Sequence, residues 1–260
     1  MTGGGLAGAL SSLDIAPLAW GACSLAVTAG VLTQRATGGA FGMVVAPLVA
    51  LIAPQFMPAG VLLVGFPVTL LSTPRDLSAI SGGELAPAVA GRAAGALVAA
   101  AVVALAPDPQ AVAVMVALAV LVGVALSVSG LRIAISRASL AAAGALSGLT
   151  GTLTSVGAPP MALLYQHAAG AAQARARATL NAFFSIGIAL SLGALLWRGQ
   201  VAVSDLAFAL SMAPAALLGF ALARPAMRLL AGRSVRPLIL SLAALASGMI
   251  LTRALLSGSV

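Results

Sequence analysis

"GTLTSVGAPPMALLY", Gly151 to Tyr165, is the stretch on which the reading of this chain turns. Gly151 and Gly157, the hydroxyls of Thr152, Thr154 and Ser155, and the adjacent Pro159 and Pro160 interrupt a sequence otherwise dominated by alanine, leucine and valine. A soluble protein would place such a cluster in a surface loop. The residues around it rule that out here.

With 61% hydrophobic and 7% charged residues and a mean hydropathy of +1.14, the chain has too little polar surface to coat a soluble domain of its length. Its solvent is lipid. A membrane barrel would alternate polar and apolar residues in segments of about ten. Ala88 to Leu105 shows no such alternation, so the chain predicts an all-α integral membrane protein. No stretch between spans is long enough to fold as a soluble domain.

Apolar runs bounded by charge, Gly and Pro predict helical segments at Ala16 to Leu32, Gly39 to Ile52, Pro58 to Ser72, Pro87 to Leu105, Ala111 to Ser127, Leu140 to Leu153, Gly157 to Ala169, Ala178 to Trp197, Asp205 to Ala223 and Val235 to Leu255. Several are too short to cross alone. The opening MTGGGLAGALSSLD lacks a basic region, so the first segment is expected to direct its own insertion.

The net charge of +8 comes from thirteen arginines with no lysine. If successive segments alternate sides, Arg35, Arg75, Arg132, Arg137, Arg175, Arg177, Arg224, Arg228, Arg233 and Arg236 share one side, and Arg198 and Arg253 the other. The positive-inside rule makes the crowded side cytoplasmic and both termini external. The arginines sit in short inter-helix loops without interleaved aromatics, so topology accounts for them and nucleic acid is not an expected partner. Arg92 falls inside a segment, between Gly91 and Gly95, where it either faces the bundle interior or snorkels to the interface, the latter being the favoured reading. The GxxxG spacing around it reads as close helix packing.

One histidine, one cysteine (Cys23) and no HExxH motif leave nothing from which to build a metal site, a disulfide or an intramembrane enzyme. No cofactor is expected.

The two halves resemble each other. "GVLTQRATGGAFGMVVAPL" from Gly30 lies on "GLTGTLTSVGAPPMALLYQ" from Gly148 without a gap, pairing Thr37 with Ser155, Gly39 with Gly157 and Gly42 with Pro160. "GRAAGALV" at Gly91 has a counterpart in "PAALLGFAL" at Pro214. Five segments per half would invert the second copy, giving repeats over 1–130 and 131–260 of the kind found in secondary transporters. Each glycine-rich stretch then marks a broken helix near the bilayer midplane, where irregular backbone is tolerated only if it lines a cavity or is buried in protein. Helices restarting near Gly39 and Gly157 would turn positive dipole ends and unpaired N–H groups toward that cavity. Pro159 suits a first helical turn. Such a cavity fits a small anion.

The paired motifs "GGAFGMVVAPL" and "GALSGLTGTLTSVGAPPMALLY", followed by "ARATLNAFF", resemble the TauE/SafE family of bacterial permeases, the sulfite exporters, over about Ala16 to Leu255. The resemblance implies a permease for sulfite, sulfoacetate or another small sulfur-containing or organic anion in the bacterial inner membrane. Expected substrate-binding residues are Arg35, Thr37, Gly39, Gly42, Thr154, Ser155, Gly157, Pro159, Tyr165, Arg177 and Asn181, with Gln166 and His167 as gating residues. Arginine offers an oxyanion two parallel hydrogen bonds and a permanent charge, which is why Arg35 and Arg177 stand among them. No carboxylate falls clearly at mid-depth, so acid relays are not expected. Coupling to H⁺ or Na⁺, a homodimer, and an anion channel or scaffold subunit in place of a transporter all stay open at this point.

Overall fold

The computed structural model describes residues 16–73, 79–103, 105, 109–168, 170–229 and 236–256, and among these the chain is helical with no strand. The first half comprises α1 (Pro17–Thr37), α2 (Phe41–Ile52), α3 (Ala59–Ser72), α4 (Gly82–Val103) and α5 (Pro109–Val128), with a single 3-10 turn at Pro54–Phe56. The second comprises α6 (Arg137–Thr154), α7 (Ala158–Tyr165), α8 (Gly170–Trp197), α9 (Val203–Ser211), α10 (Ala213–Leu229) and α11 (Arg236–Leu256). Helical stretches at Gly82–Val103, Gln110–Val128, Ala172–Trp197 and Val203–Arg228 are long and apolar enough to cross a membrane.

Each predicted segment has a helix, with three differences that matter. The segment expected at Asp205 to Ala223 is divided at Met212 into α9 and α10, where Pro214 brings no N–H to the helical ladder. The helix α4 starts at Gly82 rather than Pro87, and α8 at Gly170 rather than Ala178. Consequently Arg175 and Arg177 lie in the first turns of α8; Arg137 likewise opens α6, which starts before Leu140, and Arg35 and Arg228 lie in last turns because α1 and α10 run on past Leu32 and Ala223. The loops expected to hold them are shorter than the spacing of apolar runs suggested. Arg75 and Arg233 lie outside the described residues.

The most extensive helix contact joins α4 to α6. A Cβ on Gly91 would collide with the Ala141 carbonyl, on Gly95 with that of Ala145, on Gly144 with that of Ala88, and on Gly148 with that of Arg92. Two glycine pairs of four-residue spacing thus face each other, allowing the backbones to touch. Residue numbers rise together along the contact, so the helices are parallel. A second parallel pair, α1 with α10, is held by Thr28, whose Oγ1 donates to the Ala215 carbonyl at 3.0 Å, and by Gly219 against Val31. Further pairings join α3 to α8 and α5 to α11.

Local capping fixes where α6 begins. Ser136 Oγ accepts from the Ser139 N–H at 3.1 Å and Ser139 Oγ accepts from the Ser136 N–H at 2.9 Å, a reciprocal box with serine in the usual Glu position. Ser136→Ala is expected to cost about 1 kcal/mol, read as a lower thermal midpoint of the purified protein with ligand affinity unchanged.

Candidate functional site

Two helix breaks meet inside the bundle. The first follows Thr37, where Gly38 takes a left-handed conformation (φ 87°) and ends α1 before α2 restarts at Phe41. The second follows Thr154, where Ser155 is left-handed (φ 60°) and α7 restarts at Ala158. A left-handed serine is uncommon, and here its side chain is tied down, Oγ donating to the Pro58 carbonyl at 3.0 Å. Gly42, in the first turn of α2, packs directly on the Ser155 carbonyl, leaving no room for a Cβ.

Beside this junction lies a cavity of about 30 Å³ lined by Gln34, Gly39, Phe41, Gly42, Thr69, Arg92, Gly151, Ser155, Gly157 and Phe184, among others. Space of that size holds on the order of two water-sized spheres, which suits an ion of a few heavy atoms.

Arg92 is the charged group of this cavity. It is 1% exposed and is the eleventh residue of the 22-residue α4, about 15 Å along the helix from its start. Snorkelling is therefore replaced by a guanidinium buried midway along the helix. Three glycines make room for it: a Cβ at Gly151 would lie 2.9 Å from Nη2, one at Gly157 would lie 2.6 Å from Nη1, and one at Gly187 would strike Nε. Nη1 donates to Ser147 O at 2.9 Å and to Ser147 Oγ at 2.7 Å. Nη2 donates weakly to Ser191 Oγ at 3.4 Å, and Nε has no hydrogen-bond partner. The Phe183 ring lies 5.5 Å from the guanidinium carbon. Of five donors, two are well used.

No carboxylate balances this cation among the described residues. Glu84 accepts from the Tyr165 hydroxyl at 2.6 Å, and Asp205 accepts from the Ala202 N–H at 2.9 Å. Asp14, Asp76 and Asp108 lie outside the described residues. An unpaired buried charge is costly in protein or lipid surroundings, which makes an intramembrane arginine of this kind a candidate functional residue.

The two breaks contribute unequally. Phe41 N–H is taken by Gln34 Oε1 at 3.2 Å, and Gln34 Nε2 donates in turn to Asn181 Oδ1 at 2.8 Å. The N–H groups that follow in α2 are first-turn donors without an intrahelical acceptor. In α7, Pro159 and Pro160 remove two such donors. The donor-poor break is the one against which Arg92 packs.

Of the residues expected at the site, Gly39, Gly42, Ser155 and Gly157 line the cavity. Asn181 stands one hydrogen bond behind it through Gln34, and Thr154 and Pro159 are buried close by in sequence and space. The others lie elsewhere. Arg35 sits 6.0 Å from the Phe220 ring. Thr37 Oγ1 donates to the Thr33 carbonyl at 2.8 Å. Arg177 is exposed and donates to the Ala36 carbonyl at 3.3 Å, capping the end of α1. Tyr165 meets Glu84, Gln166 donates to the Leu131 carbonyl, and His167 is exposed. Sequence reasoning missed Arg92, Gln34 and Thr69. For Arg92 the signal was present, as a lone charge flanked by glycine in an apolar run.

A family model described as sulfite exporter TauE/SafE matches residues 22–250. No curated protein and no solved structure gives a significant match.

Proposed function

The chain belongs to the TauE/SafE sulfite exporter family, a family of multi-pass membrane permeases for anions, and from that premise we propose that it carries a small sulfur-containing oxyanion or organosulfonate, sulfite or sulfoacetate for instance, by alternating access around the Arg92 cavity. The observation that carries this reading is a guanidinium midway along α4, 1% exposed, with Nε unpartnered and no carboxylate beside it among the described residues. An oxyanion supplies the missing charge and acceptors together. Gly39, Gly42, Ser155 and Gly157 then form the walls, and the first turn of α2 adds backbone donors.

Alternating access requires two halves that can rock against each other. Support for repeats over 1–130 and 131–260 comes from the pairing of helices: α4 packs in parallel on α6, and α1 in parallel on α10. Each pair joins the fourth segment of one half to the first of the other, so exchanging the halves maps one pair onto the other, as an inverted repeat requires. The arginine-bearing ends of α1, α6, α8, α10 and α11 are assigned to the cytoplasmic face of a bacterial inner membrane by the positive-inside rule. An anion leaving an inside-negative cell gains about 2.3 kcal/mol per 100 mV, so export needs no coupling ion.

The test is thermal stability of the purified protein against sulfite, sulfate, thiosulfate, sulfoacetate, small carboxylates and chloride at constant ionic strength. A ligand at a hundredfold excess over its Kd stabilises by about 2.7 kcal/mol. A sulfur oxyanion or sulfonate is expected to raise the midpoint, and chloride is not. If no anion does so, the cavity is not an anion site.

A further inference from the structure

The contact between α3 and α8 changes chemistry halfway along. On α3, Leu62 and Phe66 precede Thr69 and Ser72, with Thr73 capping its end; on α8, Asn181 and Ser185 precede Ile188 and Leu192. Residues three and four apart share a helix face, so each helix carries one stripe that is polar at one end and apolar at the other. The helices run antiparallel, and like meets like. Thr73 Oγ1 lies 3.1 Å from Ser185 Oγ, while Leu62, Ile188, Leu192 and Leu195 pack with Ala100 and Val103 of α4 in an apolar cluster of their own.

Between the two zones sits the cavity, which Thr69, Leu62 and Ile188 all line. From Thr69 the polar stripe leads along Ser72 and Thr73 toward the end of the bundle where Ser81 N–H meets Thr179 Oγ1 at 3.0 Å and Arg177 stands exposed at the end of α1. Ser72 Oγ is buried in this stripe without a hydrogen-bond partner. A buried hydroxyl left unpaired is unfavourable in a static core. It suits a surface past which polar species travel.

We propose that the polar half of the α3–α8 seam is the passage joining the Arg92 cavity to the arginine-bearing end, closed in this structure by the Thr73–Ser185 hydroxyl pair, and that the apolar half is a seal the substrate does not cross. The proposal builds on the anion-site reading and adds the route. A gate of two hydroxyls opens at low cost, because a hydrated anion replaces the bond it breaks. Leucine side chains offer no such exchange. Ser72, Thr73 and Ser185 are thereby assigned to the conduction path.

Single cysteines at Ser72, Thr73, Leu62 and Leu192, in a Cys23→Ala background, test it in detergent-purified protein, where both ends are accessible. The probe is an anionic methanethiosulfonate, followed with and without sulfoacetate, a sulfonate that does not react with it. Ser72→Cys and Thr73→Cys are expected to react at least tenfold faster than Leu62→Cys and Leu192→Cys. Equal or reversed rates, or no reaction at Ser72 and Thr73, overturn the passage. Protection by sulfoacetate reports separately on the anion site: fast reaction at Ser72 that sulfoacetate does not slow keeps the passage and removes sulfoacetate as its substrate. Circular dichroism of each variant checks that it folds.

Discussion

Replacing Arg92 by glutamine or methionine is expected to abolish anion-dependent stabilisation while leaving the protein at least as stable without ligand. The two effects have opposite signs for one reason. The guanidinium is buried with two of its five donors well satisfied, so the ligand-free fold bears its desolvation, and a neutral side chain of similar length removes that burden. The bound state loses a charge-assisted, two-pronged contact, and losses near 3 kcal/mol correspond to about a hundredfold in Kd. Arg92→Lys keeps the charge but not the fork and is expected to fall between the wild type and glutamine. If Arg92 served packing alone, glutamine would lower the ligand-free midpoint and leave the anion response in place. Transport into vesicles and the thermal midpoint, measured on the same preparations, separate these outcomes.

A second large effect is expected at the α4–α6 contact. Gly95→Val or Gly144→Val puts side-chain carbons where the Ala145 and Ala88 carbonyls now stand. Neither obstacle is a flexible side chain, so the helices must separate, at a cost of about 3 kcal/mol or more. Separation also shifts Arg92 relative to Ser147, so ligand binding falls with stability. Gly83→Val and Gly193→Val are the controls, because nothing lies within 4 Å of a Cβ at either position. Cys23, fully buried in α1, gives the readout: a thiol-reactive dye labels it as the bundle opens, and labelling should start at lower temperature in Gly95→Val and Gly144→Val only.

The membrane class and the order of helices were legible because composition and apolar run length depend on solvent alone. The two breaks were legible too, since Gly38, Gly39, Gly157, Pro159 and Pro160 fit few other places in an apolar chain. Site membership was harder, and Arg92 shows why. Starting α4 at Pro87 makes Arg92 a near-terminal residue with an easy reach to the interface. The helix in fact begins five residues earlier, and the same arginine falls midway along it. Pro87 is tolerated inside the helix, so the usual start signal misled. Arg177 moves in the opposite direction. Its position before "ATLNAFF" suggested a ligand, but extension of α8 back to Gly170 leaves it outside, holding the α1 terminus. Gln34 carried no local signal, because its importance comes from Asn181, which is 147 residues away.

The parallel pairing of α1 with α10 sets a timetable for biogenesis. Thr28 and Ala215 are 187 residues apart, so at about 5–20 residues per second α1 is made roughly ten to forty seconds before its partner. Thr28 is equipped for the delay, since its hydroxyl also reaches the Ser24 carbonyl within α1 at 2.9 Å. An early helix that hydrogen-bonds to itself can stand alone in lipid, and later share the same hydroxyl with the helix that completes the bundle.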